Sequence, residues 1–294
     1  MIPAPFDYHS PHSLEEALTL LQSHRDDVKV LSGGQSLLPL LKLRLGAAGH
    51  LVDIGRIPGL EYIREEGGVL KIGGRTRESA LEESDLIHAK YPLLAETAAV
   101  IADPLVRNLA TVGGNLAHGD PANDHPATML AFRAEIVATG PQGSRTIPID
   151  QFFLGLFQTA LAPEEILTEI RIPEPPPRSG GAYVKLERKV GDFATAASAV
   201  QVTLGAGGEV ARVGIGLTNA GPTPLRATAA ESLLSGKPPS DELIAEAARQ
   251  AGAAATPSAD RRGRVEYKRE MARVLTARAL HRAIQKAIQM GGGH

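Results

Sequence analysis

Val28-Lys29-Val30-Leu31-Ser32-Gly33-Gly34-Gln35-Ser36-Leu37-Leu38 is the stretch on which the fold turns. A brief apolar run stops at Ser-Gly-Gly, and leucines then recur densely enough for a helix, so the order is strand, glycine turn, helix. Glycine lets a backbone come close to an anion and take positive φ. Consecutive N–H groups can then converge on phosphate oxygens, with the Ser32 and Ser36 hydroxyls beside them. A second pair stands in Ala110-Thr111-Val112-Gly113-Gly114-Asn115, where Thr111 supplies the hydroxyl. Either pair alone reads more readily as a tight turn. Neither a G-x-x-x-x-G-K-[ST] loop nor a G-x-G-x-x-G following a strand is present, which argues against a P-loop or a Rossmann fold. Gly214-Ile215-Gly216 comes nearest, but it lies inside a strand-like run and reads as close strand packing.

Working outward, Ser13-Leu14-Glu15-Glu16 reads as a capping box, and Leu14, Ala17, Leu18 and Leu21 continue it as an amphipathic helix. Leu51 to Ile54 and Val69 to Gly73 look like strands, and Tyr91 to Ile101 has the spacing of a buried helix. Asp103 to His125, rich in Gly, Asn, Asp and Pro, is expected to be a long ordered loop, the kind that usually serves function. A helix resumes near Pro126, and strands follow at Glu135 to Thr139 and Glu165 to Ile172. Pro173-Glu174-Pro175-Pro176-Pro177-Arg178-Ser179-Gly180-Gly181 can continue neither a helix nor an inner strand and marks a boundary. Beyond it, Tyr183 to Lys189, Ala196 to Leu204 and Val210 to Leu217 suggest an antiparallel meander, with Gly205 to Gly208 turning between the last two. From Arg226 the chain favours helices, broken around Gly236-Lys237-Pro238-Pro239 and at Pro257. The last helix starts near Val265, and Gly291 to His294 is expected to fray. The fold class is therefore α+β, with an N-terminal domain over 1–176 and a C-terminal antiparallel sheet with helices over 177–290.

A chain of 294 residues that is 43% hydrophobic and 22% charged can bury a substantial core. A net charge of −2, with no dense Lys/Arg block, gives no field for nucleic acid or anionic lipid. Cysteine is absent, which excludes disulfides, thiolate nucleophiles and a Cys-ligated iron–sulfur cluster of the chain's own. Met1-Ile2-Pro3-Ala4-Pro5-Phe6-Asp7 lacks the basic and apolar run of a secretory signal, and no stretch is apolar enough to span a bilayer; the expected location is the cytoplasm. His118, Asp120, Asp124 and His125 form the densest polar cluster. They are open to three readings: an imidazole and carboxylate metal site, Asx-turns with Asn123 or Asp124 capping the next helix, or an acidic partner for sugar hydroxyls or a ring N–H. The last suits Asp124. No Ser/His/Asp order, H-E-x-x-H or catalytic carboxylate pair can be assembled, so hydrolase chemistry is unsupported.

With both glycine loops in this order, the chain resembles the flavoprotein subunits of the xanthine dehydrogenase and carbon monoxide dehydrogenase family. The likeness continues at Ile2-Pro3 with Phe6-Asp7-Tyr8, at Asp103-Pro104-Leu105-Val106-Arg107-Asn108, at His118 to Pro126 and at Gly191-Asp192-Phe193-Ala194-Thr195-Ala196. It spans nearly the whole chain and looks like the carbon monoxide dehydrogenase branch. It implies two α/β subdomains of the PCMH type with FAD held between them. Ser32, Gly33, Gly34, Gln35 and Ser36 would hold the diphosphate together with Thr111, Gly113, Gly114 and Asn115. Ile101 and Ala102 would line the flavin pocket, Asp124 would hydrogen-bond the cofactor, and Leu161 and Lys185 would border the isoalloxazine. Phe193 stands where an aromatic residue covers the flavin face in the family, without the phenol of a tyrosine. Gln35 stands where some relatives have histidine.

The same resemblance implies a large partner subunit carrying a molybdopterin-type molybdenum cofactor and a small one carrying two [2Fe–2S] clusters, in a dimer of heterotrimers. Electrons would reach FAD in this chain and leave to an external acceptor, so the chain would be inactive on substrate alone. The absence of cysteine agrees independently, since such a chain must receive electrons from a neighbour. Three alternatives remain at this level. They are a self-sufficient flavin reductase or oxidase of the same superfamily, the FAD subunit of an aldehyde or xanthine dehydrogenase, and a scaffold protein without flavin.

Overall fold

The structure is a computed structural model, and it describes residues 1–291. The chain starts with β1 (Asp7–His9), α1 (Leu14–Ser23), β2 (Val28–Leu31), α2 (Leu37–Lys42) and β3 (His50–Asp53). The three strands form a parallel sheet in the order β1-β3-β2. Ser13 Oγ caps α1 by accepting from Glu16 N–H, while the Glu16 carboxylate accepts from His12 N–H at 2.8 Å. The capping box thus closes one residue before the cap. α1 buries Ala17 and Leu21 against Val28, Val52 and Ile54, and this orients the sheet.

Next come β4 (Ile63–Glu66) and β5 (Val69–Gly73), then α3 (Glu78–Glu82), α4 (Asp85–Lys90), α5 (Pro92–Ala99), α6 (Pro104–Arg107), α7 (Val112–His118) and α8 (His125–Phe132). β6 (Glu135–Gly140), β7 (Gly143–Pro148), the small pair β8 (Phe153–Gly155) and β9 (Gln158–Thr159), and β10 (Ile166–Pro173) complete this half. Its five-stranded sheet runs β4-β5-β10-β6-β7 with every neighbouring pair antiparallel. The expected long loop over 103–125 is corrected here: it contains two helices. Asp103 caps α6 by accepting from Val106 N–H at 3.0 Å, and Thr111 caps α7 by accepting from Gly114 N–H at 3.2 Å. The Asp, Pro and Gly that suggest a loop are the start and stop residues of short helices.

The remaining chain forms β11 (Ser179–Leu186), β12 (Ala196–Leu204), β13 (Val210–Thr218) and β14 (Leu225–Arg226), then α9 (Thr228–Leu234), α10 (Asp241–Ala254) and α11 (Val265–Gly291). The four strands make an antiparallel meander. Gly180 and Gly181, expected in the linker, are strand residues. A Cβ on Gly180 would fall 2.2 Å from Ala283 O in α11, and one on Gly181 would fall 2.6 Å from Leu93 Cβ in α5. Both glycines are therefore set by helices pressing on the two faces of β11. Gly214 and Gly216 in β13 do the same for α8, where a Cβ would meet Ala131 O and Ala127 O. The expected fraying of Gly291 to His294 falls outside the described residues except at Gly291, which ends α11.

This sheet joins the two halves. On β12, Ala197 and Ala199 belong to the core of the N-terminal half, while Val200 and Val202 belong to the core under α10 and α11, as the two-residue side-chain period requires. Lys286 on α11 pairs with Glu96 on α5 and donates to Gly181 O at 2.8 Å. Among the described residues no helix is long and apolar enough to cross a membrane.

Candidate functional site: two glycine loops and a buried acid

Residues 79 positions apart meet where β2 ends. Ser32 and Thr111 share a hydrogen bond at 2.9 Å, and a Cβ on Gly33 would lie 2.3 Å from Leu109 O and 2.8 Å from Ala110 Cα. Only a residue without a side chain lets the first loop press this closely against the chain entering α7. The N–H groups of Gly34, Gln35 and Ser36 make no backbone hydrogen bond among the described residues. The second loop differs: Val112 N–H donates to Thr76 O, Gly113 N–H to Gly74 O, Gly114 N–H to Thr111 Oγ1 and Asn115 N–H to Thr111 O. Its main-chain donors are thus engaged within the protein. What it leaves over is Asn115 Oδ1, which is buried without a partner.

From Asn115 a continuous path of contacts leads along the site. Asn123 Nδ2 donates to Asn115 O at 2.8 Å, and Asp124 follows at the start of α8. Asp124 was a candidate cap, but its side chain does not cap α8. It turns instead to β11, accepting from Tyr183 Oη at 2.6 Å and from Lys185 Nζ at 2.9 Å. Burial raises the Asp124 carboxyl above the ordinary carboxylate range, with the Lys185 charge and the Tyr183 hydroxyl pulling the other way. The same burial, with Asp124 adjacent, holds the Tyr183 phenol well above its usual range.

Lys185 also donates to Val100 O at 3.0 Å, which brings it beside Ile101 and Ala102. Ile101 is buried, and Ala102 sits at φ 48°, in the left-handed region. Arg107 holds that corner: it forks onto Glu82 at 2.6 and 2.9 Å and donates to Ile101 O at 3.0 Å. A Cβ on Gly191 would lie 2.6 Å from Ala102 O, so the loop carrying Phe193 rests on the same corner. Phe193 is 46% exposed, with the Arg262 guanidinium 5.8 Å from its ring centre. Leu161 is partly buried against the main core. Gln35 and Ser36 are half-buried in the first loop.

His118, Asp120, Asp124 and His125 do not converge. His118 packs against Phe157 with ring centres 5.0 Å apart, and burial lowers its pKa. Asp120 makes an Asx-turn, accepting from Ala122 N–H at 2.8 Å. His125 Nε2 meets Glu78 Oε2 at 2.6 Å in full burial. The sequence reading lacked Tyr183, Asn123 as a brace, and the Glu82–Arg107 pair. The signal for Tyr183 was its two-residue spacing from Lys185 on one strand, which puts both on one face. For Glu82 and Arg107 no local signal existed.

A family model described as the FAD binding domain in molybdopterin dehydrogenase matches residues 4–175. The chain belongs to this FAD-binding family. The model of the CO dehydrogenase flavoprotein C-terminal domain matches residues 181–283. The chain is 48% identical over 283 residues to the carbon monoxide dehydrogenase medium chain of Hydrogenophaga pseudoflava, covering 96% of this chain and 98% of that one. It is 45% identical to the medium chain from Afipia carboxidovorans, covering 98% and 99%. A solved carbon monoxide dehydrogenase structure from Hydrogenophaga pseudoflava superposes with a TM-score of 0.95 at 49% identity, over 97% of this chain and 99% of that chain. The residues present fit the family's cofactor on structural grounds: unpaired N–H groups in the first loop, a glycine that permits close approach, and a buried oxygen without a partner.

Proposed function

We propose that this chain is the FAD-carrying subunit of a molybdenum hydroxylase of the carbon monoxide dehydrogenase type. In this role it passes electrons from the [2Fe–2S] clusters of a small partner subunit to an external acceptor. Oxidation of the substrate would occur at the molybdenum cofactor of a large partner subunit. The observation that carries the reading is the meeting of the two glycine loops, with Ser32 Oγ 2.9 Å from Thr111 Oγ1. Ser32, Gly33, Gly34, Gln35 and Ser36 would hold the diphosphate together with Thr111, Gly113, Gly114 and Asn115. The first loop offers its N–H groups; Asn115 Oδ1 can accept from a cofactor hydroxyl or N–H. Ile101, Ala102, Leu161, Lys185 and Phe193 would surround the ring system, and Asp124 would present its carboxyl to it through an exchange of partners with Tyr183 or Lys185. Bound flavin accepts electrons singly and releases them in pairs. The protein's part is to hold it, exclude water from one side and fix the Lys185 charge nearby. We place the division between the FAD-binding part and the C-terminal part at 176/177, in the proline run that separates the two matched segments. The assembly we propose is a dimer of heterotrimers in the cytoplasm.

The test is the visible absorption spectrum of the purified chain after FAD is added and unbound cofactor removed. A retained flavin spectrum near one equivalent, bleached by reductant, is expected. No retained flavin, either in this chain or in the complex co-expressed with its partner subunits, would overturn the proposal.

A further inference from the structure

Three histidines that the flavin reading leaves unused gather beside the parallel sheet. His9 closes β1, His24 follows the last residue of α1, and His50 opens β3. One ring nitrogen from each lies within 4.8 Å of the others, and this is the one such group of His, Cys, Asp or Glu among the described residues. His9 Nε2 is 3.2 Å from His50 Nδ1. The His24 and His50 rings are stacked with centres 3.6 Å apart, and His9 lies 5.5 and 5.4 Å from them. All three are half-buried, and Asp7 Oδ2 stands 3.8 Å from His50 Nδ1.

Stacked imidazoles offer one another a single N–H···N bond and no counter-charge, so their mutual contacts give little reason for this grouping. A borderline dication gives one. Imidazole nitrogens bind zinc at about 2.0–2.1 Å, which sets two ligands of a tetrahedral site about 3.3 Å apart. The 3.2 Å between His9 and His50 is that spacing. An imidazole lone pair lies in the ring plane, so His24 must swing out of its stack to complete the set. Three imidazoles suit Zn²⁺, Ni²⁺ or Cu²⁺, and not Mg²⁺ or Ca²⁺, which favour all-oxygen sites.

We propose that His9, His24 and His50 bind a zinc-like divalent cation that ties α1 and β1 to β3, its fourth position left to solvent. His50 pairs with Val28 where β2 begins, and His9 pairs with Val52, level with Val30, whereas Ser32 leaves β2 after Leu31. The cation is a brace for the first sheet and takes no part in electron transfer.

The experiment is calorimetric titration of Zn²⁺ into the chelator-stripped full chain, alongside His24→Ala, His50→Gln and, as a surface control, His281→Ala. Circular dichroism checks that each variant is folded. One equivalent of Zn²⁺, an affinity at least tenfold weaker in His24→Ala and His50→Gln, and no change in His281→Ala are expected. Zn²⁺ should also raise the melting temperature of the native chain and leave that of His24→Ala unmoved. No stoichiometric binding, or binding that survives both substitutions combined, or equal loss in His281→Ala, would overturn the proposal. Should the His50 variant fail to fold, His24→Ala decides alone, because His24 lies outside the strands.

Discussion

Adding one methyl group to Gly33 tests whether the contact between the two glycine loops is as close as the structure has it. The Cβ of Gly33→Ala would sit 2.3 Å from Leu109 O, 2.8 Å from Ala110 Cα and 3.0 Å from Leu109 C. All three neighbours are main chain, so no side-chain rotation relieves the overlap, and one loop must retreat by about 1 Å to restore van der Waals distance. Overpacking of this kind costs about 1–3 kcal/mol. If the strain stays in the unliganded chain, unfolding by urea shows the loss, and the melting temperature falls by about 2–4 °C per kcal/mol for a domain of 150–250 residues. If the loops instead separate, the loss appears as weaker FAD binding, about 5-fold to 150-fold for the same energy. The sum of the two losses is the predicted quantity. Gly46→Ala is the matched control, since a Cβ there meets nothing within 4 Å. It should change stability by no more than about 0.5 kcal/mol. Equal stability and equal FAD affinity in Gly33→Ala and Gly46→Ala would refute the close approach.

Asp124→Ala takes one acceptor each from Lys185 Nζ, which keeps Val100 O and Glu187, and Tyr183 Oη, which keeps Thr218, and a loss of about 1–3 kcal/mol in urea unfolding is expected. Pairing it with Lys185→Met should recover part of that loss in a double-mutant cycle; simple additivity would show that the two groups do not interact. Ala102→Gly relieves a left-handed backbone that costs an L-residue about 1–2 kcal/mol, offset in part by glycine's extra unfolded-state entropy. The outcome should lie between no change and a gain of about 1 kcal/mol, and a clear loss of stability would show that Ala102 is not strained. Asp192 is held down to about 2 chiefly by Arg262, with Arg188 assisting. Because that is below its ordinary 3.8, its contribution is fully present above pH about 4 and is lost as the pH falls toward 2. Between those limits Asp192→Asn should lose less stability than the native chain, and parallel acid-unfolding curves would contradict the ion pair.

Short-range physics accounts for what was legible in the residues. The glycine turn after Val28 to Leu31, the Ser13 cap and the alternating strands of the meander each depend on backbone preference or side-chain period within a few residues. The two errors have a local cause as well. Over 103–125 the cap residues of two short helices outnumber their periodic positions. At Gly180-Gly181 a small-residue pair reads as linker, although distant helices are what demand it.

The sequence by itself determined the α+β class, the absence of any cysteine chemistry, and two glycine loops of a kind that can receive a diphosphate. Only the tertiary structure decided that the first sheet is parallel and the second antiparallel, that one loop keeps its N–H groups free while the other uses them, and that Asp124 faces Tyr183 and Lys185. These facts rest on contacts between residues 36 to 79 positions apart, or on which strand lies beside which. Such contacts follow from how buried surfaces fit together and where buried polar groups find partners, and neither is written in the preference of any single segment.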